Sequence, residues 1–90
     1  MIPTVPGRWY VNKHGESHAR LIVGLEWSSW GKPLIRIRQV WTGRSSSEGV
    51  VLAESLIKPS QWKFWSGQIQ EPGWEPSWLS TARMGPSVKL

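Results

Sequence analysis

His18-Ala19-Arg20-Leu21-Ile22-Val23-Gly24-Leu25-Glu26-Trp27 and, a few residues on, Leu34-Ile35-Arg36-Ile37-Arg38-Gln39-Val40-Trp41-Thr42 decide the fold of this 90-residue chain. In the first stretch Ala19, Leu21, Val23, Leu25 and Trp27 share one parity, and His18, Arg20, Ile22, Gly24 and Glu26 share the other. In the second, Ile35, Ile37, Gln39 and Trp41 oppose Leu34, Arg36, Arg38 and Val40. Strand side chains change face at every residue, so this alternation marks half-buried strands. Ser28-Ser29-Trp30-Gly31-Lys32-Pro33 between them is turn-forming, and the two strands read as a hairpin. With paired indices summing to 62, Trp27 faces Ile35, Leu25 faces Ile37 and Leu21 faces Trp41, while Glu26 meets Arg36 on the other side. A register one residue away would set Leu25 against Arg36 on the buried face.

Upstream, Trp9 and Val11 alternate against Arg8, Tyr10 and Asn12 until His14-Gly15-Glu16-Ser17 breaks the run. A sum of 30 pairs Trp9 with Leu21, Val11 with Ala19 and Tyr10 with Arg20, the last as a cation–π contact. Downstream, residues 43–49 form a polar loop, and Val50 to Glu54 make a fourth strand with Leu56-Ile57 as a short fifth piece. Residues 59–67 have proline where a first helical residue goes and glycine where the chain leaves, with Trp62 and Trp65 on one side. Pro76 to Pro86 repeats that punctuation, and Gln68 to Glu75 reads as a linker.

The expected fold is therefore all-β: a small antiparallel, partly open barrel of four to five strands with one or two short C-terminal helical turns. Residues 1–7 are an extended lead-in, 8–66 the β-barrel domain and 67–90 a Pro/Gly/Trp-rich C-terminal extension. In strand count, loop placement and closing turn, residues 8–65 resemble SH3-like or Tudor-like barrels. The resemblance implies a fold and carries no binding residues with it.

Composition narrows the chemistry. Eight tryptophans in so short a chain require either a dense small core or a partner, since each indole is costly to leave wet. The chain has no cysteine, which excludes disulfides, thiolate metal sites and cysteine nucleophiles. It also has no aspartate, so a Ser-His-Asp triad cannot be built, and its six acidic residues, all glutamate, form no close pair for acid–base work. His14 and His18 have metal-like spacing only on a helix, and a hairpin turn separates them. A non-enzymatic protein without metal or cofactor is expected. No apolar run approaches the ~20 residues of a membrane span, and the first residues lack a signal-peptide pattern. The expected partner is thus not a membrane, and the expected location is cytoplasmic.

Eleven Lys and Arg against six Glu give a formal charge of +5 and a sequence pI near 10.3. Charge of this sign points to nucleic acid. On the expected outer face Arg20, Arg36 and Arg38 lie on adjacent strands beside Arg8, Tyr10 and His18. Lys32 and Arg44 sit at loop tips, and Trp30 offers a ring next to Lys32. Cations neutralise phosphates and rings stack on bases, which makes this set the expected nucleic-acid site. An acidic protein is the other partner such a face suits. The alternative function is a protein-binding inhibitor or adaptor, of the kind mobile genetic elements encode, or a homo-oligomer. Trp62, Trp65, Trp74, Trp78 and Leu79 would form its hot spot. If the tail instead folds back over its own sheet, the basic face is left as the functional surface.

Overall fold

The computed structural model describes residues 4–41 and 49–85. Among these residues six strands form one open, mixed sheet in the order β5-β1-β2-β3-β4-β6. They are β1 (Trp9–Val11), β2 (Arg20–Trp27), β3 (Pro33–Val40), β4 (Val51–Ile57), β5 (Gln68–Ile69) and β6 (Arg83–Met84). Helix α1 (Pro59–Trp65) connects β4 to β5, and 3₁₀ turns occupy Glu16–His18 and Ser77–Thr81. The sheet-dominated expectation holds. The strand count rises to six because the tail adds an edge strand on each side: β5 runs antiparallel to β1, and β6 runs parallel to β4. Residues 68–75, read as a linker, therefore open with a strand, and the second helical turn is 3₁₀. Val51 to Ile57 is one continuous strand rather than two pieces.

The first hairpin has the expected register, Trp9 opposite Leu21 and Tyr10 opposite Arg20. The second does not. Leu25 lies opposite Ile35 and Trp27 opposite Pro33, an index sum of 60, and the pairing slips again between Ile22 and Gly24, where Ile22 faces Ile37. Two local causes account for this. The turn is tighter than expected: Ser28 N–H donates to the Lys32 carbonyl at 2.8 Å and Gly31 N–H to the Ser28 carbonyl at 2.9 Å. Gly31 has φ +78°, so a three-residue loop closes through a left-handed glycine. Val23 is then the extra residue of a β-bulge, which reverses the parity of everything before it relative to everything after.

The bulge decides the core. Tyr10, Ile22, Ile35, Ile37 and Ile57 bury one face of the sheet beneath Trp62 of α1. Ile22, placed outside by simple alternation, is brought to the α1 face and fully buried, whereas Leu25 and Trp27 keep their expected face but, lying toward the hairpin tip, are 55% and 73% exposed. Ile35 and Ile37 keep their expected face. Tyr10, expected on the surface, is buried edge-on against Trp62 at 4.9 Å, and its hydroxyl accepts the Val5 N–H at 2.9 Å. On the far face Trp9 is buried and takes the edge of Trp78 at 5.9 Å.

Helix α1 starts as its sequence indicates, with Pro59 first and the Lys58 N–H held by Gln61 Oε1 at 2.8 Å. It ends at Ser66 in the left-handed region, φ 57°, with the hydroxyl donating to the Lys63 and Phe64 carbonyls. A seven-residue helix does not persist alone in water, and the burial of Trp62 against five sheet residues is what fixes it.

Candidate functional site

The same bulge separates the arginines expected to share a face. Arg36 and Arg38 lie on the face turned away from α1 and are paired there. Arg36 makes a two-pronged contact with Glu26 and comes within 3.6 Å of Glu54. Arg38 donates to Glu54 at 2.5 Å. The hydrogen bond from Arg36, and behind it the guanidinium charge, holds the Glu26 carboxyl below its ordinary value against a smaller opposing push from desolvation. The Glu26 hydrogen bond in turn raises Arg36. Two cations and two carboxylates thus form a cross-strand ladder of little net charge.

Arg20 is on the opposite face. Its guanidinium lies 4.5 Å from the ring centre of Trp65, which replaces the expected Tyr10 contact. Burial lowers its pKa from the ordinary arginine value, although arginine keeps its charge throughout the physiological range. No carboxylate among the described residues forms an ion pair with it. A half-buried cation without a counter-ion is costly to maintain.

Arg20 forms part of a cleft of about 900 Å³. The connection from β1 to β2 brings Lys13, His14 and His18, while α1 brings Gln61, Phe64 and Trp65. No carboxylate lines this cleft among the described residues. The His14 and His18 rings stand 5.4 Å apart, and Ser17 Oγ lies 3.1 Å from His18 Nδ1. Phe64 is 91% exposed at the edge. The Asn12 side-chain amide donates to the Trp65 carbonyl at 3.4 Å and ties the two walls together. A pocket holding only positive and neutral polar groups, with an aromatic rim, is suited to an anionic ligand that carries planar rings. No group of three or more His, Cys, Asp or Glu among the described residues is placed to hold a metal ion.

A second depression, about 600 Å³ and largely apolar, lies between the β2–β3 hairpin and α1. Leu25, Trp27, Pro33 and Ile35 supply one wall; Pro59, Trp62 and Lys63 supply the other. Trp62 is 2% exposed, and its indole N–H has no acceptor among the described residues.

The remaining expected residues are scattered. Arg8 is tied to the Gln70 carbonyl. Trp30 and Lys32 sit at the exposed hairpin tip, where Ser28 Oγ accepts both of their backbone N–H groups. Arg44 lies outside the described residues. Of the tail tryptophans proposed as a hot spot, Trp62 is core and Trp65 covers Arg20. Trp78 donates its indole N–H to the Glu16 carbonyl at 2.7 Å, beside a Ser77 hydroxyl bonded to the Glu16 carboxylate. Trp74 and Leu79 are half-buried. The described tail therefore docks on its own sheet.

Sequence reading passed over Lys13, His14 and Phe64. Lys13-His14 through His18 to Arg20 is a run of cationic and imidazole side chains in which Glu16 is the one acid. That run was available as a signal. Phe64 gave none, since only the register of α1 against the sheet turns it outward. Comparison with known proteins matches the chain to no family model, no curated protein and no solved structure.

Proposed function

We propose that the protein is a small, non-enzymatic, basic binding module that holds nucleic acid in the Arg20 cleft. One observation carries the reading: a half-buried guanidinium stacked on Trp65 has no carboxylate partner among the described residues and lies in a cleft that also gathers Lys13, His14 and His18. Phosphate oxygens would satisfy those cations, and Phe64 and Trp65 offer rings to bases. Arg36 and Arg38 leave the proposed contact set because Glu26 and Glu54 already neutralise them. Arg20 and His18 stay in it, and Lys13, His14 and Phe64 join it.

The finer fold reading belongs to the same proposal. A meander from β1 to β4, a helical turn after it, and β5 returning to β1 support an SH3-like arrangement. A cytoplasmic setting accords with the binding of nucleic acid, and among the described residues no helix is long and apolar enough to cross a membrane.

The test is the salt dependence of binding to oligonucleotides of random sequence. Each phosphate contact contributes about −0.7 on a single strand, or −0.9 on a duplex, to the slope of log affinity against log salt. Replacing Lys13 and Arg20 by Gln should flatten the slope by about 1.5 units. Absence of binding at low salt, or an unchanged slope in the double variant, refutes the reading. The second reading, a protein-binding adaptor, inhibitor or homo-oligomer, is favoured by the exposed Leu25, Trp27 and Trp30 of one hairpin rather than by the tail.

A further inference from the structure

We propose that the Arg20 cleft and the Trp27 groove are two subsites of one track for single-stranded nucleic acid, with phosphates in the cleft and a base in the groove. This rests on the nucleic-acid reading of the cleft and adds the strandedness of the ligand and a second point of contact. The track follows from the elements. Arg20 and Trp27 are the two ends of β2, about 23 Å apart at ~3.3 Å per residue, a distance that a few nucleotides cover. Helix α1 lines both depressions, the cleft through Gln61, Phe64 and Trp65 and the groove through Pro59, Trp62 and Lys63. Between them it exposes Phe64 and the cation of Lys63, which makes no ion pair among the described residues.

The groove suits a base in chemistry as well as position. A nucleobase has apolar faces and an edge of carbonyl and ring-nitrogen acceptors. Trp27, 73% exposed, presents a ring for the face, and Leu25, Pro33 and Pro59 add apolar contact. Glu26 is the one carboxylate at the groove among the described residues, and Arg36 already binds it. Lys63 at the rim pairs with a flanking phosphate. A duplex keeps its bases stacked and paired inside, so neither Phe64 nor Trp27 can take one. It is left with the cleft cations alone.

The experiment measures fluorescence anisotropy of labelled oligothymidylate of about twelve nucleotides, within the site sizes of single-strand binders, against a duplex of equal length, with the full chain. The single strand should bind at least about tenfold more tightly. Trp27→Leu and Phe64→Leu should each weaken single-strand binding between about fivefold and about a hundredfold, the range of one base–ring stack. The salt slope and the duplex affinity should stay as they were. Trp27→Phe keeps a ring and should restore most of the loss, and an unchanged melting temperature in each variant shows that the fold is intact. Equal affinity for strand and duplex, or single-strand binding indifferent to Trp27→Leu, overturns this inference and leaves the cleft reading standing. Failure to bind either probe at low salt removes both.

Discussion

Val23 is the residue on which the interior turns. Strict alternation sends Leu25 inward and Ile22 outward; one bulged residue brings Ile22 to the α1 face as well, where it is buried while Leu25, nearer the hairpin tip, stays exposed. Gly24 is the local hint, since glycine inside a strand often marks a bulge, but it does not say which neighbour is the extra residue. Ile22→Ala should therefore cost about 2–5 kcal/mol in chemical denaturation, as expected for a buried isoleucine. Leu25→Ala should change stability by less than about 1 kcal/mol, in keeping with its exposed position. Equal losses at the two sites would mean that Leu25 is covered as fully as Ile22. Arg20 permits a sharper comparison. Exchange for Met keeps the stem against Trp65 and deletes a charge that no carboxylate among the described residues offsets, so the melting temperature should hold or rise while nucleic-acid affinity falls. A large drop in melting temperature would mean that the guanidinium is structural. Glu26 gives a pH prediction of fixed sign. Its carboxyl is held below the ordinary value by Arg36, so its contribution is present above the unfolded-state range near pH 4.3 and disappears as pH falls through the lower folded-state value. Glu26→Gln should remove part of the acid-induced fall in melting temperature, visible in thermal melts from pH 6 down to about 2. A wild-type-like acid profile in that variant would show the ladder to be inconsequential.

At the scale of elements, legibility follows how local the governing physics is. The first hairpin, the extent of β3 and the start of α1 are written in nearby residues: alternation in one case, Pro59 and Gln61 in another. The tail is not legible in this way. Residues 68–69 and 83–84 are too short to carry a periodicity, and they become strands only because the edges of β1 and β4 offer unpaired backbone groups. The tryptophans after Gly67 read equally well as a hot spot or as a cover, since an indole buries apolar area in either role. Truncation after Gly67 should accordingly destabilise the domain. It deletes β5, β6, the Trp78 edge on Trp9 and the bonds from Ser77 and Trp78 to Glu16. A melting temperature within a degree or two of the full chain would show the tail to be an appendage instead.

Across the whole molecule the +5 charge is unevenly deployed. Composition reports the total and hides the distribution, because Arg36 and Arg38 lie on the face of the sheet opposite Arg20. Their charge is taken up by Glu26 and Glu54, while Arg20, Lys13, His14 and His18 face a cleft that no carboxylate lines among the described residues. The two sets should therefore separate cleanly in mutagenesis. Replacing Arg36 and Arg38 together by Gln leaves two glutamates unpaired on a packed sheet face, so the melting temperature should fall. The salt slope of oligonucleotide binding should stay within about half a unit of the wild type, since no phosphate contact is removed. Replacing Lys13 and Arg20 should do the reverse, flattening the slope by about 1.5 units with little loss of stability. Both variants carry the same change in net charge. If binding responded only to the overall field of the protein, their slopes would fall alike. Parallel loss of slope in the two double variants would thus rule out a localised cleft, and divergence in the stated direction places the contact beside Trp65.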